Sequence, residues 1–116
     1  KAFNDNYGHL TGDYLLRKIS ITIRDSIRSA DQAFRYGGDE FAILLPNTTT
    51  TAASQVAERI RQQIAAKVIA GNIPVTASLG LASWPDNGVR ADEVIAAADA
   101  ALYQAKRNGG NRSHCA

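Results

Sequence analysis

Residues 35–41, Arg35-Tyr36-Gly37-Gly38-Asp39-Glu40-Phe41, set two glycines and two carboxylates between runs that read as strands, Gln32 to Tyr36 and Phe41 to Leu45. A Gly-Gly pair supplies the positive φ angles of a tight hairpin turn and lets backbone pass close to a ligand. Parallel neighbours need a long crossover, so a hairpin in mid-chain excludes a purely parallel, doubly wound sheet. The expected class is α+β, with a largely antiparallel central sheet flanked by helices. Asp39 and Glu40 then fall at the exposed end of the sheet, where hard oxygen ligands can hold a divalent cation. An acidic surface turn without a ligand is the competing reading of the turn alone.

Helical spacing surrounds the hairpin. Leu15, Ile19, Ile23 and Ile27 recur every four residues and predict an amphipathic helix opened by Thr11 or Asp13 as cap. Ala42 to Leu45 is nearly continuous in apolar character, as in a strand covered on both faces, and Pro46-Asn47 ends it. The Thr48 to Thr51 run offers N-caps for a second helix through Ala70, with Val56, Ile60, Ile64 and Val68 on one face and Gly71 as its stop. Pro74 to Trp84 alternates as a strand, and Asp92 to Arg107 predicts a last helix with Ile95, Ala98, Leu102 and Ala105 inward. Residues Lys1 to Gly12 are polar and turn-rich and read as a helical turn and a loop. The expected order is helix, hairpin, helix, strand, helix, with the first strand missing from the chain.

At 116 residues the chain is expected to form one domain. Its net charge of +2, with both signs interspersed, gives no basis for nucleic-acid or membrane-surface binding. No apolar run reaches the length of a spanning helix. The one cysteine, Cys115, excludes an internal disulfide and fits a reducing, cytoplasmic setting, whether or not a parent protein is tethered to a membrane. His9 reads as a loop or cap residue, and no His/Cys cluster has zinc spacing, so any metal is expected to be oxygen-bound magnesium or manganese. Phosphate loops of the Gly-x-x-x-x-Gly-Lys and Gly-x-Gly-x-x-Gly types are absent, and Ser78 is not in a nucleophile elbow. The tail from Asn108 to Ala116 is expected to fray. Lys106 and Arg107 read as macrodipole compensation, and Asn4, Asp5 and Asp13 as turn and cap residues, when each is taken singly.

Taken together, four blocks resemble the GGDEF family of diguanylate cyclases. Gly37-Gly38-Asp39-Glu40-Phe41 is similar to its signature, and Lys1 to His9 with Gly12-Asp13 to its N-terminal motif. Thr76 to Gly80 resembles its late strand, and Ala98-Asp99 through Lys106 its last helix. The resemblance implies a fold similar to nucleotidyl-cyclase and polymerase palm domains. It also implies a reaction in which two GTP condense to cyclic di-GMP with release of two pyrophosphates, across a homodimer and with Mg2+ or Mn2+. By motif position Asp39 would be a metal ligand near the attacking hydroxyl, with Glu40 a second acidic residue for metal or base function. Gly37 and Gly38 would let the turn approach the nucleotide, Asn4 and Asp13 would bind the guanine edge, and Lys1 and Lys106 would contact phosphates. Arg28-Ser29-Ala30-Asp31, with Arg59 on the next helix, matches the family's product-inhibition site. Without that context it reads as a helix-end arginine and a turn aspartate.

The chain departs from the family pattern in two places. An Asp-x-Asp-x-Phe strand with a further metal-binding aspartate is expected just before Lys1 and is not in the sequence, which reads as an N-terminally truncated GGDEF domain. Gly110 stands where the family often carries a phosphate-binding cation. The alternative to an active cyclase is therefore a non-catalytic module that binds cyclic di-GMP through Arg28 and Asp31.

Overall fold

The computed structural model describes the backbone of residues 2–5, 12–37, 40–70 and 73–116, with side chains over 14–37, 40–68 and 75–116. Helix α1 (Gly12–Ser26) buries Leu15, Ile19 and Ile23 on the predicted stripe, with Ile27 half-buried just beyond its end. Asp13 is the second helical residue rather than the cap, and Thr11 lies outside the described residues. Helix α2 (Thr50–Lys67) packs against α1 and buries Ala53, Ala57, Ile60 and Ile64. The hydroxyl of Thr49 caps it by accepting the Ala52 N–H at 3.1 Å. Full burial of each isoleucine contributes about 1.5–3 kcal/mol, so these two stripes dominate the core.

The central sheet has strands β2 (Gln32–Gly37), β3 (Glu40–Leu44), β1 (Ala2–Asp5), β6 (Ala77–Leu81) and β7 (Ser113–Cys115) in that order. All neighbours are antiparallel except β6 and β7. The α+β class and the central hairpin are thus as expected, but the start of the chain is not. A strand does precede α1, and it is the central one: Ala2 pairs with Ala42 on one side and Gly80 on the other. The physical reason is that β3 and β6 each present a row of backbone donors and acceptors toward the gap between them. A four-residue segment, even a polar one, satisfies both rows by entering it.

Strand β6 carries the two layers. All five of its residues are buried. Ala77, Leu79 and Leu81 join the α1/α2 core, whereas Gly80 faces α3 (Ala91–Arg107). A Cβ at Gly80 would collide with the Ala98 carbonyl and the Leu102 backbone nitrogen, so the helix rests on the strand only because that position is glycine. Ala98, Ala101, Leu102 and Ala105 form the buried face of α3, but Ile95, expected inward, is exposed. In β3, Phe41, Ala42 and Ile43 are buried and Leu44 is not, so the strand is covered on both faces for part of its length only.

Three further expectations change. Helix α2 ends at Lys67 instead of Ala70, because Val68 leaves the helix and Ile69–Ala70 (β4) pairs with Ile73–Pro74 (β5); Gly71 lies outside the described residues. The strand expected over Pro74 to Trp84 is confined to β6. The polar tail does not fray. Positive φ at Gly109, Gly110 and Asn111 turns the chain back after α3. Leu79 N–H then donates to the Arg112 carbonyl at 3.0 Å and Ala116 N–H to the Leu81 carbonyl at 2.8 Å, which makes the tail a parallel edge strand. Among the described residues no helix is long and apolar enough to cross a membrane.

Candidate functional site

The β2–β3 hairpin brings Gly37 opposite Glu40, with a register shift between Arg35 and Gly37. Gly37 does not adopt a positive φ, and a Cβ there would lie an ordinary 3.7 Å from Glu40 Oε1. The need for glycine expected at this position is therefore not steric at Gly37; Gly38 and Asp39 lie outside the described residues, as does Lys1. Glu40 opens β3 half-buried, and its carboxylate has no hydrogen-bond or ion-pair partner among the described residues. The central strand sets Asn4 opposite Glu40 in the ladder and opposite Ser78 on the other side. Asp13 lies in the first turn of α1. Lys106 is exposed in the last turn of α3, and its side chain makes no hydrogen bond or ion pair with a described residue.

Among the described residues no group of three or more His, Cys, Asp or Glu could hold a metal ion. Glu40 nevertheless has the right donor type for a hard cation: carboxylate oxygens without a described partner, at the end of strand β3 next to the hairpin turn.

The second cluster sits where α1 hands over to β2. Arg28 and Asp31 close a turn in both directions, Asp31 N–H donating to the Arg28 carbonyl at 3.0 Å and Arg28 N–H to Asp31 Oδ2 at 2.8 Å. The guanidinium lies alongside the same carboxylate, with Nη2 2.8 Å from Oδ1 and Nε 3.2 Å from Oδ2. Nη2 also donates to the Pro46 carbonyl and to Thr48 Oγ1, each at 2.9 Å. The Asp31 side chain is 1% exposed and that of Arg28 56%. Hydrogen bonding to Asp31, and then its charge, raises the Arg28 pKa further above its ordinary value. Arg59 reaches across from α2 and donates through Nη2 and Nε to the Ser26 carbonyl at 2.6 and 3.2 Å, which caps the end of α1. Arg28 and Asp31 are thus paired directly, while Arg59 contacts the end of α1 at Ser26 and does not line the cavity beside them.

Beside that corner, between α1 and β2, lies an open cavity of about 690 Å³ whose lining includes Arg24, Arg28, Asp31, Arg35 and Phe41. Its size is that of a small-molecule site. Arg24 and Arg35 were not singled out from the sequence. The available signal was spacing: Arg24 lies one helical turn before Arg28, and Arg35 alternates with the exposed Phe34 and Tyr36 along β2.

Comparison with known proteins gives the family of the chain. The family profile described as "Diguanylate cyclase, GGDEF domain" matches residues 1–112. The chain is 44% identical over 115 residues to diguanylate cyclase A of Treponema denticola, covering 97% of this chain and 31% of that protein. It is 44% identical over 119 residues to diguanylate cyclase DosC of Escherichia coli K12, covering 97% of this chain and 25% of the relative. The chain therefore spans less than a third of the length of these relatives. Among solved structures, the GGDEF domain of YfiN from Pseudomonas aeruginosa superposes with a TM-score of 0.89 at 27% identity, over 99% of this chain and 79% of that one. The GGDEF domain of DgcB from Caulobacter crescentus, solved in complex with c-di-GMP, gives 0.84 at 27% identity, over 98% and 74%. With the signature at the hairpin, the palm-like sheet behind it and a profile match over nearly the whole length, the chain belongs to the GGDEF family of diguanylate cyclases.

Proposed function

We propose that this chain is the nucleotide-condensing domain of a diguanylate cyclase, joining two GTP into cyclic di-GMP with loss of two pyrophosphates. Each protomer of a homodimer would hold one GTP. The observation that supports the reading is the register that sets Asn4, which we assign to the guanine edge, opposite Glu40 of the signature. In this reading Asn4 and Asp13 take the guanine donors and acceptors, which separates guanine from adenine by hydrogen bonding. Lys1 and Lys106 meet the phosphates as point charges. Asp39 and Glu40 would hold a divalent cation, and that cation supplies charge neutralisation of the triphosphate and activation of the attacking hydroxyl. Glu40, half-buried without a described partner, also serves as a proton acceptor near the ribose hydroxyl.

A second reading is favoured by the Arg28 corner. Its cavity supports binding of the product, with Arg28 directed to a phosphate or a guanine Hoogsteen edge and Arg59, which lies outside the lining and caps α1, adding charge from α2. Chromatography of this chain incubated with GTP and Mg2+, beside calorimetry with cyclic di-GMP, tests both readings. Cyclic di-GMP formation bears out the cyclase. Binding without formation, lost in Arg28→Ala, leaves a product-binding module; neither formation nor binding removes both.

A further inference from the structure

Arg28 has five N–H bonds in a planar fork, and two-point recognition of a phosphate or a guanine edge uses two adjacent nitrogens. One edge of the fork, Nε with Nη2, already holds the Asp31 carboxylate at 2.8 to 3.3 Å. The other two-nitrogen edge is Nη1 with Nη2. Nη1 has no partner among the described residues, but the outward hydrogen of Nη2 is shared between the Pro46 carbonyl and Thr48 Oγ1, both at 2.9 Å. Thr48 Oγ1 itself donates to the Pro46 carbonyl at 2.9 Å. Asn47, at φ 53°, supplies the left-handed turn that sets these two acceptors side by side. The corner is therefore closed on itself, and a ligand that needs both nitrogens must displace a partner that the protein provides.

We propose that Thr48, together with the Pro46 carbonyl, is an internal competitor at the Arg28 site. It is a positioning residue that holds the guanidinium shut and sets how tightly the site takes a two-acceptor ligand. The proposal rests on the reading of this corner as a cyclic di-GMP site. Its source is the β3–α2 turn, 18 to 20 residues away along the chain, and not the Arg-x-x-Asp motif itself. Thr48 is not the α2 cap, so its hydroxyl can be removed while the Thr49 cap is kept.

The experiment is calorimetry of cyclic di-GMP with the wild type, Thr48→Val, Thr48→Ser and Arg28→Ala. Loss of one exposed competing hydrogen bond tightens binding to Thr48→Val by roughly three- to tenfold. Thr48→Ser, which restores the hydroxyl, binds as the wild type does. A merely structural role for Thr48 would weaken binding in the valine variant and lower its melting temperature together. Unchanged or weaker binding by Thr48→Val, with Arg28→Ala abolishing binding, overturns the competitor and leaves the site. If the wild type does not bind, or Arg28→Ala binds equally, the site itself is wrong and the competitor falls with it.

Discussion

Glu40 and Asp31 are carboxylates nine residues apart on the same β2–β3 ribbon or its approach, and the molecule treats them in opposite ways. Asp31 is almost wholly enclosed and receives the Arg28 amide and guanidinium, so its oxygens serve the turn. Glu40 is half-buried with no described partner, so its oxygens are available. Burial alone does not mark a functional carboxylate. Spare hydrogen-bonding capacity at a partly shielded position is what makes Glu40 the better candidate for the proposed chemistry.

Substitutions should separate the two. The largest effect is expected at the hairpin: Asp39→Asn or Glu40→Gln lowers cyclic di-GMP formation by roughly a hundredfold or more, read by product chromatography at saturating GTP. The melting temperature of Glu40→Gln stays within about 2 °C of wild type, because no described interaction is lost. A large fall in stability with activity retained would reverse the comparison. Asp31→Ala comes next. It leaves the Arg28 amide without its acceptor and is expected to lower the melting midpoint by about 5–10 °C in a thermal scan.

Glu58 is the intermediate case and the smallest effect. It accepts from Arg61 Nη2 at 2.7 Å and from Ser113 Oγ at 3.2 Å, and so ties α2 to β7. Hydrogen bonding to Arg61 holds its pKa below the ordinary 4.5, against the opposing pull of burial. Its contribution is thus complete above about pH 4.5 and is lost as pH falls through the lowered folded-state value. Because the side chain is 42% exposed, screening keeps that contribution below about 1 kcal/mol. Denaturant titrations of wild type and Glu58→Gln should differ at neutral pH and converge in acid; a gap that widens in acid would contradict the assignment.

What the sequence made legible was local. The isoleucine stripes of α1 and α2, the threonine cap and the central hairpin depend on residues three or four apart, or on a turn. The misses depend on distant partners. Ala2 to Asp5 reads as loop until β3 and β6 stand on either side of it. The tail reads as frayed until β6 offers an edge, and Ile95 fits the helical stripe of α3 yet stays exposed at a small cleft shared with Phe34, Tyr36 and Leu44 of β2 and β3. The contacts of Thr48 and Pro46 with Arg28 are of the same kind. No pattern within either segment announces the other.

The position of β1 has a consequence for how the chain acquires its structure. The first strand in sequence is the middle strand of the sheet, and Ala2 meets Ala42 and Gly80. Its ladder therefore cannot close until most of the chain is available, and closing it carries the entropy of long loops. The β2–β3 hairpin and the helices, whose contacts are nearby in sequence, are placed to form first. Residues 2–5 would wait, as an unpaired strand, for a slot that is built around them last.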